Sequence, residues 1–376
     1  MLDFLSRFIA FRPQNPNLLA FVAPFAVAWL LGMIGTWLSI RLARTLGALD
    51  HPVERSSHAA PTPRLGGLGV ALGLFGALLA LAYCFPGLTV FDPRSDPAFF
   101  RALLAGGILA FALGLADDVR ALPPMIKLAG QILCAAAAVC CGISFAGIGL
   151  PFGATIALGR LGPLVTMAWI IFFMNAFNFM DGLDGQTAGF GATASAGLAL
   201  PMLLGLNRDP GWALRAGSLV LLAGALLGFA RFNVSRPART FMGDSGSQMA
   251  GYALALALAS ARPEHVAPGL LALWPFVYDV SYTLARRAAR RQNLFQAHHD
   301  HLYQRLLKTG LSHRSVLRRN TAFDLVCLAA SAYYVVEGLR AQAAPLQLGC
   351  LGVVLAATAA YTASVWRRER ARSSGG

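Results

Sequence analysis

The stretch Asn175-Ala176-Phe177-Asn178-Phe179-Met180-Asp181-Gly182-Leu183-Asp184-Gly185 lies between two apolar runs, one ending at Met174 and the other beginning near Thr187. Two carboxylates, two carboxamides and two glycines therefore sit where a membrane helix meets water. Ionisable groups at such a place are costly and mark function by default. Glycine gives the backbone access to positive φ and to a close ligand, and Asn and Asp favour local turn hydrogen bonds. A plain polar turn needs one Asp-Gly pair. This stretch has two, spaced by three, behind two asparagines spaced by three.

The surrounding chain sets the class. Of its 376 residues 56% are hydrophobic and only 13% charged, and mean hydropathy is +0.58. A soluble domain carries about 25% charged residues, so residues 1–376 read as one integral membrane domain. The start of the chain lacks a signal-peptide pattern, so its first apolar run is expected to stay as a membrane helix. The net charge of +14 reads as orientation and contact with anionic lipid or substrate. No basic-aromatic motif supports nucleic acid. All six cysteines fall within apolar runs, without zinc-site spacing, and read as small buried hydrophobes.

A spanning helix needs roughly 20 apolar residues. That places helices near 18–40, 66–85, 99–116, 128–147, 163–174, 187–206, 213–230, 247–261, 269–285, 322–338 and 345–366. The fold class is an all-α polytopic membrane protein of about eleven spans, with a small hairpin between Gly147 and Gly162. The loops 41–65, 117–127, 175–186, 231–246 and 286–321, with the tail from 367, hold 22 of the 31 Lys and Arg. The positive-inside rule makes this set cytoplasmic. The same loops carry Asp50, His58, Asp117, Asp118, Asp181, Asp184, Asp244, His298, His299 and His301. One cytoplasmic face is thus expected to carry the chemistry.

Each loop has its own pattern. The first holds Arg55, His58 and Arg64 among three prolines; these side chains suit anionic oxygens or a positive-inside anchor. The second reads Asp117-Asp118-Val119-Arg120-Ala121-Leu122-Pro123-Pro124-Met125-Ile126-Lys127. Adjacent helical residues point about 100° apart, so the two carboxylates do not share one job. Lys127 is either a salt-bridge partner or a substrate contact. The fourth loop reads Phe241-Met242-Gly243-Asp244-Ser245-Gly246-Ser247. Small residues at a helix N-terminus suit phosphate, and Asp244 repels phosphate unless a divalent cation lies between them. Mg²⁺, held by carboxylates and phosphate oxygens, meets that need. The last loop, 286–321, places His298, His299, His301 and Arg305 together. Adjacent imidazoles suit one metal poorly, so hydrogen bonding to a sugar is the expected role, against a merely solvated basic loop.

These motifs give the chain a close resemblance to the polyprenyl-phosphate N-acetylhexosamine-1-phosphate transferases, over about residues 50–307. It rests on Asp117-Asp118 with Pro123-Pro124 and Lys127, on the 175–185 stretch, and on Phe241 to Ser247. The resemblance implies a UDP-N-acetylhexosamine donor, a polyprenyl-phosphate acceptor, Mg²⁺ or Mn²⁺, and an active site on the cytoplasmic side of the inner (plasma) membrane. It implies that Asp117 and Asp118 are the catalytic pair, with Lys127 near the diphosphate. Asp244 resembles the metal ligand, with Asp181 beside it. Phe241 resembles the ring that stacks on uracil, and Gly182, Leu183 and Asp184 the rest of that pocket. Asn175 and Asn178 are expected at the nucleotide. A homodimer is a further expectation.

The last loop departs from the peptidoglycan branch, which resembles Pro-x-His-His-His there. Here His298-His299-Asp300-His301-Leu302-Tyr303-Gln304-Arg305 resembles the O-antigen-initiating branch. The alternatives are a muramyl-pentapeptide phosphotransferase and a secondary transporter. A transporter calls for ionisable residues near the bilayer midplane and broken helices, whereas most acids here lie at one interface. The 22-of-31 distribution of Lys and Arg predicts that single cysteines at Ser57 or Ser312 react only with a membrane-permeant reagent. Labelling from outside intact cells contradicts the orientation.

Overall fold

Every expected span forms a helix in the computed structural model, which describes residues 19–50, 61–85, 88–204, 211–235, 237–293, 296, 298–338 and 344–373. In chain order these are α1 (Leu19–Leu46), α2 (Gly67–Cys84, with one π-helical turn at Leu72–Gly76), α3 (Pro97–Val119), α4 (Pro124–Cys140), α5 (Gly162–Phe179), α6 (Gln186–Leu203), α7 (Trp212–Asn233), α8 (Gly243–Ala259) and α9 (Pro263–Ala289), then α11 (His313–Glu337) and α12 (Ala344–Ser373). A short helix, α10 (Leu302–Lys308), lies in the last loop. The antiparallel pair β3 (Gly147–Gly149) and β4 (Thr155–Ala157) forms the expected hairpin, and β1 (Leu49–Asp50) pairs with β2 (Thr62–Pro63). His58 falls in 51–60, outside the described residues.

Six helices, α1, α2, α3, α5, α7 and α12, are long and apolar enough to cross a membrane, and α4 is a shorter apolar helix. The protein is an all-α, multi-pass membrane protein. Large side chains exposed on α1 (Leu30, Ile34, Leu38) and α12 (Val353, Leu355) form a face suited to lipid rather than water.

α8 lies at the centre. From Ser245 to Ala259 every residue is buried, and beyond Asp244 the helix carries no charge. A helix apolar all round belongs inside. It packs mainly on α3 and α5, and also on α2 and α6. Small residues allow this approach. A Cβ added at Gly114 of α3 would lie 2.2 Å from the carbonyl oxygen of Asp244, and one at Gly67 of α2 would lie 2.2 Å from the amide nitrogen of Gly246. Farther along, the Tyr252 hydroxyl donates to the Ala102 carbonyl at 2.8 Å and the Trp169 indole to the Ala255 carbonyl at 3.1 Å. At the opposite end of the bundle, Asp96 caps α3 through the Phe99 amide (3.0 Å) and accepts from Arg215 of α7 at 2.7 Å, while Arg215 also donates to the Ser260 carbonyl at 2.9 Å.

Several boundaries differ from the expected ones; α4 ends at Cys140 instead of 147 and α3 runs to Val119, carrying Asp117 and Asp118 on its last turn, and three further differences bear on the site. α5 runs on to Phe179, so Asn175 and Asn178 stand on its last turns rather than in a loop; their amides find partners on neighbouring helices there. α12 runs to Ser373, so the basic segment from 367 continues the helix instead of forming a tail. The 286–321 segment is not one loop: it holds the end of α9, all of α10 and the start of α11.

Because α3 meets α8 backbone to side-chain-free backbone, Gly114→Ala is expected to destabilise the protein by about 1–3 kcal/mol. A lower Tm in detergent measures it, and an unchanged Tm contradicts the close contact.

Candidate active site

The site is built on the N-terminus of α8. The first amides of any helix lack intrahelical partners, and here that turn is packed inside the protein. Gly243 enters it with φ +73, a conformation that favours glycine. The missing acceptors come from α3. Asp118 accepts from the Asp244 amide at 2.9 Å, the Ser245 amide at 3.0 Å and the Ser245 hydroxyl at 2.7 Å. It is a cap supplied from another helix, and its negative charge sits at the positive end of the α8 dipole. Arg64 completes the joint from the other side, donating through Nε to the Asp118 carbonyl at 2.8 Å.

With Asp118 committed to α8, Asp117 faces elsewhere. Its Oδ1 accepts the Leu122 amide at 2.6 Å, and its Oδ2 pairs with Lys127. Lys127 also pairs with Asp244 Oδ2 at 3.2 Å. One ammonium thus holds two carboxylates. Pro123 and Pro124 put it there: Pro124 opens α4 at its first turn, which sets Lys127 near the start of that helix. Asn178 orients Asp244 from α5, donating to its Oδ1 at 3.0 Å and to the Ser247 hydroxyl at 2.9 Å.

The 180–185 turn closes this side. Asp181 accepts the Thr187 hydroxyl at 2.5 Å. Burial, with the nearby carboxylates of Asp244, Asp118 and Asp184, pushes its carboxyl up to about 8. Gly182 is exposed beside the Tyr303 hydroxyl, and the Leu183 side chain is buried in the core, which leaves Leu183 only its backbone for a ligand. Asp184 is half-buried. The turn is anchored by Asn233, which accepts the Gly185 amide at 2.6 Å and donates to the Thr240 carbonyl at 3.0 Å. Phe241 is half-buried; its amide donates to the Pro63 carbonyl at 2.8 Å and its carbonyl accepts from Gly66 at 3.0 Å.

The last loop joins through α10. The Tyr303 hydroxyl donates to the Phe179 carbonyl at 3.2 Å, and the His301 ring lies 5.8 Å from that of Phe179. His301 is 3% exposed, with Nδ1 2.9 Å from Asp279 Oδ1 on α9. The same carboxylate accepts the Leu302 amide at 3.1 Å. This bond fixes the orientation of the imidazole. The His298 ring sits 5.0 Å away; burial, with His301 and Arg287 nearby, pushes it down to about 4, so it is neutral at physiological pH. His299 is exposed. Arg287 holds Asp300 at 2.7 Å.

Three residues stand differently from their expected roles. Asn175 is not presented to a nucleotide. Its amide pairs with Gln131 (2.7 and 3.1 Å) and the Ile171 carbonyl (2.8 Å), and Gln131 also reaches Gln248 at 3.1 Å. The result is a polar link among α4, α5 and α8. Arg305 is not presented to a sugar either. It is 4% exposed, and its fork holds Glu369 of α12 at 2.7 and 2.5 Å. At the side of Asp244 the structure places Asp117, sharing the same ammonium, while Asp181 is turned to Thr187 and raised in pKa. Asp279 and Asn233 were missed by the sequence reading. A lone carboxylate inside an apolar run is the signal that points to Asp279; nothing local marks Asn233.

Sequence comparison agrees with this geometry. Residues 100–261 match the family model described as glycosyl transferase family 4. The decaprenyl-phosphate N-acetylglucosaminephosphotransferase of Mycobacterium tuberculosis is 37% identical over 299 residues, covering 73% of both chains. A probable undecaprenyl-phosphate N-acetylglucosaminyl 1-phosphate transferase of Bacillus subtilis is 28% identical over 80% of this chain and 81% of its own. The undecaprenyl-phosphate alpha-N-acetylglucosaminyl 1-phosphate transferase of Escherichia coli K12 is 24% identical over 84% and 82%. The fold and the motif loops define a multi-pass membrane glycosyl transferase. The chain belongs to the polyprenyl-phosphate N-acetylhexosamine-1-phosphate transferase superfamily, within glycosyl transferase family 4.

Since Asp118 is a cap, Asp118→Asn is expected to cost roughly 1.5–3 kcal/mol of stability, the range for hydrogen bonds to a charged group. Thermal unfolding in detergent checks this. An unchanged Tm with abolished turnover moves Asp118 into the chemistry instead.

Proposed function

We propose that the protein transfers N-acetylglucosamine-1-phosphate from UDP-N-acetylglucosamine to polyprenyl phosphate, releasing UMP. The carrying observation is the Asp117–Lys127–Asp244 bridge at the capped N-terminus of α8. The similarity to polyprenyl-phosphate N-acetylglucosamine phosphotransferases supports the sugar and the lipid.

The lipid phosphate attacks the β-phosphorus of the donor; one P–O bond forms and the bond to UMP breaks. Such transfer is chiefly positioning and charge neutralisation. Asn178 and Lys127 orient Asp244, and the Lys127 ammonium supplies positive charge for the diphosphate. The second pKa of a phosphate monoester is about 6, so the acceptor is mostly dianionic at neutral pH. Both Asp118 oxygens accept hydrogen bonds from α8, and both Asp117 oxygens are engaged by the Leu122 amide and Lys127, so neither is assigned as a general base, and the dianionic acceptor needs none.

The donor set fits a hard divalent cation such as Mg²⁺ (or Mn²⁺): two carboxylates, Asp117 and Asp244, already share one positive charge, and all their donor atoms are oxygens. These two residues would hold the ion, which would supply neutralisation of the negative charge on the phosphates. Phe241 and Asp184, with the Gly182 and Leu183 backbone, are proposed to take the uracil, and His301, set by Asp279, the sugar, with His298 and His299 beside it.

The charge distribution supports a site on the cytoplasmic side of the inner membrane. The product is proposed to begin a lipid-linked cell-surface glycan. An O-antigen product rests on the last loop alone, while the higher identity is to the mycobacterial enzyme.

The test is UMP release with polyprenyl phosphate and Mg²⁺ over a donor panel. Turnover is expected with UDP-N-acetylglucosamine and not with a muramyl-pentapeptide donor; no UMP release from any donor contradicts the reading. Asp244→Asn is expected to abolish turnover with the fold intact. His301→Ala leaves a sugar group unpaired, at roughly 1–3 kcal/mol, and so lowers kcat/KM about 5- to 150-fold with UMP affinity unchanged. An equal loss of UMP affinity places His301 at the nucleotide.

A further inference from the structure

A second concavity lies outside the transfer site, between the last turns of α9 and α12 and beside α10. It measures about 660 Å³ and is lined by Arg286, Arg290, Arg305 and Arg370, with Glu369 as its one acid. Glu369 is already claimed by the bidentate bond from Arg305. Neither Arg286 nor Arg290 has an ion-pair partner among the described residues. Arg305 Nη1 is buried without a hydrogen-bond partner. Like charges at such density repel unless an anion joins them.

The depth of the cavity identifies the anion. Tyr282 and Trp366 line it too, joined by a 3.0 Å bond from the indole Nε1 to the phenol oxygen. Tyr and Trp collect at the headgroup level of a bilayer. α12 has 30 residues, or about 45 Å at 1.5 Å per residue, against a hydrocarbon core of about 30 Å. Its apolar part, with Val353 and Leu355 exposed, covers the core, and Arg370 stands beyond Trp366, where phosphates lie. We propose that this cavity holds the headgroup of an anionic phospholipid of the surrounding bilayer, its phosphate on Arg286, Arg290 and Arg370 and its acyl chains along α12. Basic pockets between membrane helices take such headgroups. The Arg305–Glu369 bond ties α10, which begins just after His301, to the wall of this cavity, so a bound lipid also braces that helix.

The experiment uses the full chain in phosphatidylcholine nanodiscs, with phosphatidylglycerol added in steps. Lipid retained by the released protein is read by native mass spectrometry, and Tm is read alongside. The wild type is expected to retain phosphatidylglycerol over phosphatidylcholine and to gain Tm. The triple variant Arg286→Gln, Arg290→Gln, Arg370→Gln is expected to lose that preference by roughly a hundredfold, since each such arginine contributes about a fivefold factor. Should the triple variant fail to fold, Arg286→Gln alone carries the test with a partial loss. Equal retention of the two lipids by the wild type, or equal retention by wild type and folded variant, overturns the proposal. Displacement of phosphatidylglycerol by millimolar inorganic phosphate overturns it in favour of a soluble anion. Displacement by equimolar polyprenyl phosphate overturns it in favour of an acceptor site.

Discussion

Burying the N-terminus of a helix is the constraint on which this structure depends. Unpaired amides inside a protein cost about as much as lost hydrogen bonds, and α8 is buried from Ser245 onward. Asp118 offsets that cost by accepting from two of those amides, and it accepts from the Ser245 hydroxyl besides. Its position requires α3 to end against α8, hence no side chain at Gly114, and requires the turn at Gly243 to adopt positive φ. Fixing Asp118 also fixes its neighbour. A residue one step along a helix points about 100° away, so Asp117 is delivered to Lys127 and, through it, to Asp244. The architecture and the chemistry therefore share one joint.

The joint concentrates negative charge. Asp118, Asp184 and Asp244 lie close enough to Asp181 to add to the upward push that burial gives its carboxyl, and Asp117 shares Lys127 with Asp244. Lys127, Arg64 and the α8 dipole offset part of it. A site of this kind is prepared for cations and for the phosphates that cations bring. At the opposite end, by contrast, Asp96 and Arg215 satisfy one another and the Ser260 carbonyl, which fastens α3, α7 and α8 without leaving a group for a ligand.

Much of this was legible in the sequence because membrane burial leaves few explanations for a charged side chain. Apolar run length located the helices, six of which are long and apolar enough to cross a membrane, and the segments that carry Asp117, Asp181 and Asp244 do converge. The differences have a common cause. A sequence shows which polar groups lie near an interface but not which partners claim them. Asn175 reads as a ligand contact until Gln131 is seen opposite it, and Arg305 until Glu369, 64 residues later in the chain, is seen in its fork. Asp279 lies within an apolar run, away from the motif loops, and its role in setting the His301 ring shows only once α9 and α10 are seen together. The second carboxylate beside Asp244 depends on which way α3 ends, a packing outcome that motif spacing does not encode.

The assignment of Asp117 and Asp244 as the paired carboxylates is tested most directly by Mn²⁺ electron paramagnetic resonance of the full chain with a UDP-sugar bound. The account predicts a protein-bound Mn²⁺ signal in the wild type and in Asp181→Asn, and its loss in both Asp117→Asn and Asp244→Asn. A signal that survives Asp244→Asn, or one lost only in Asp181→Asn, contradicts it.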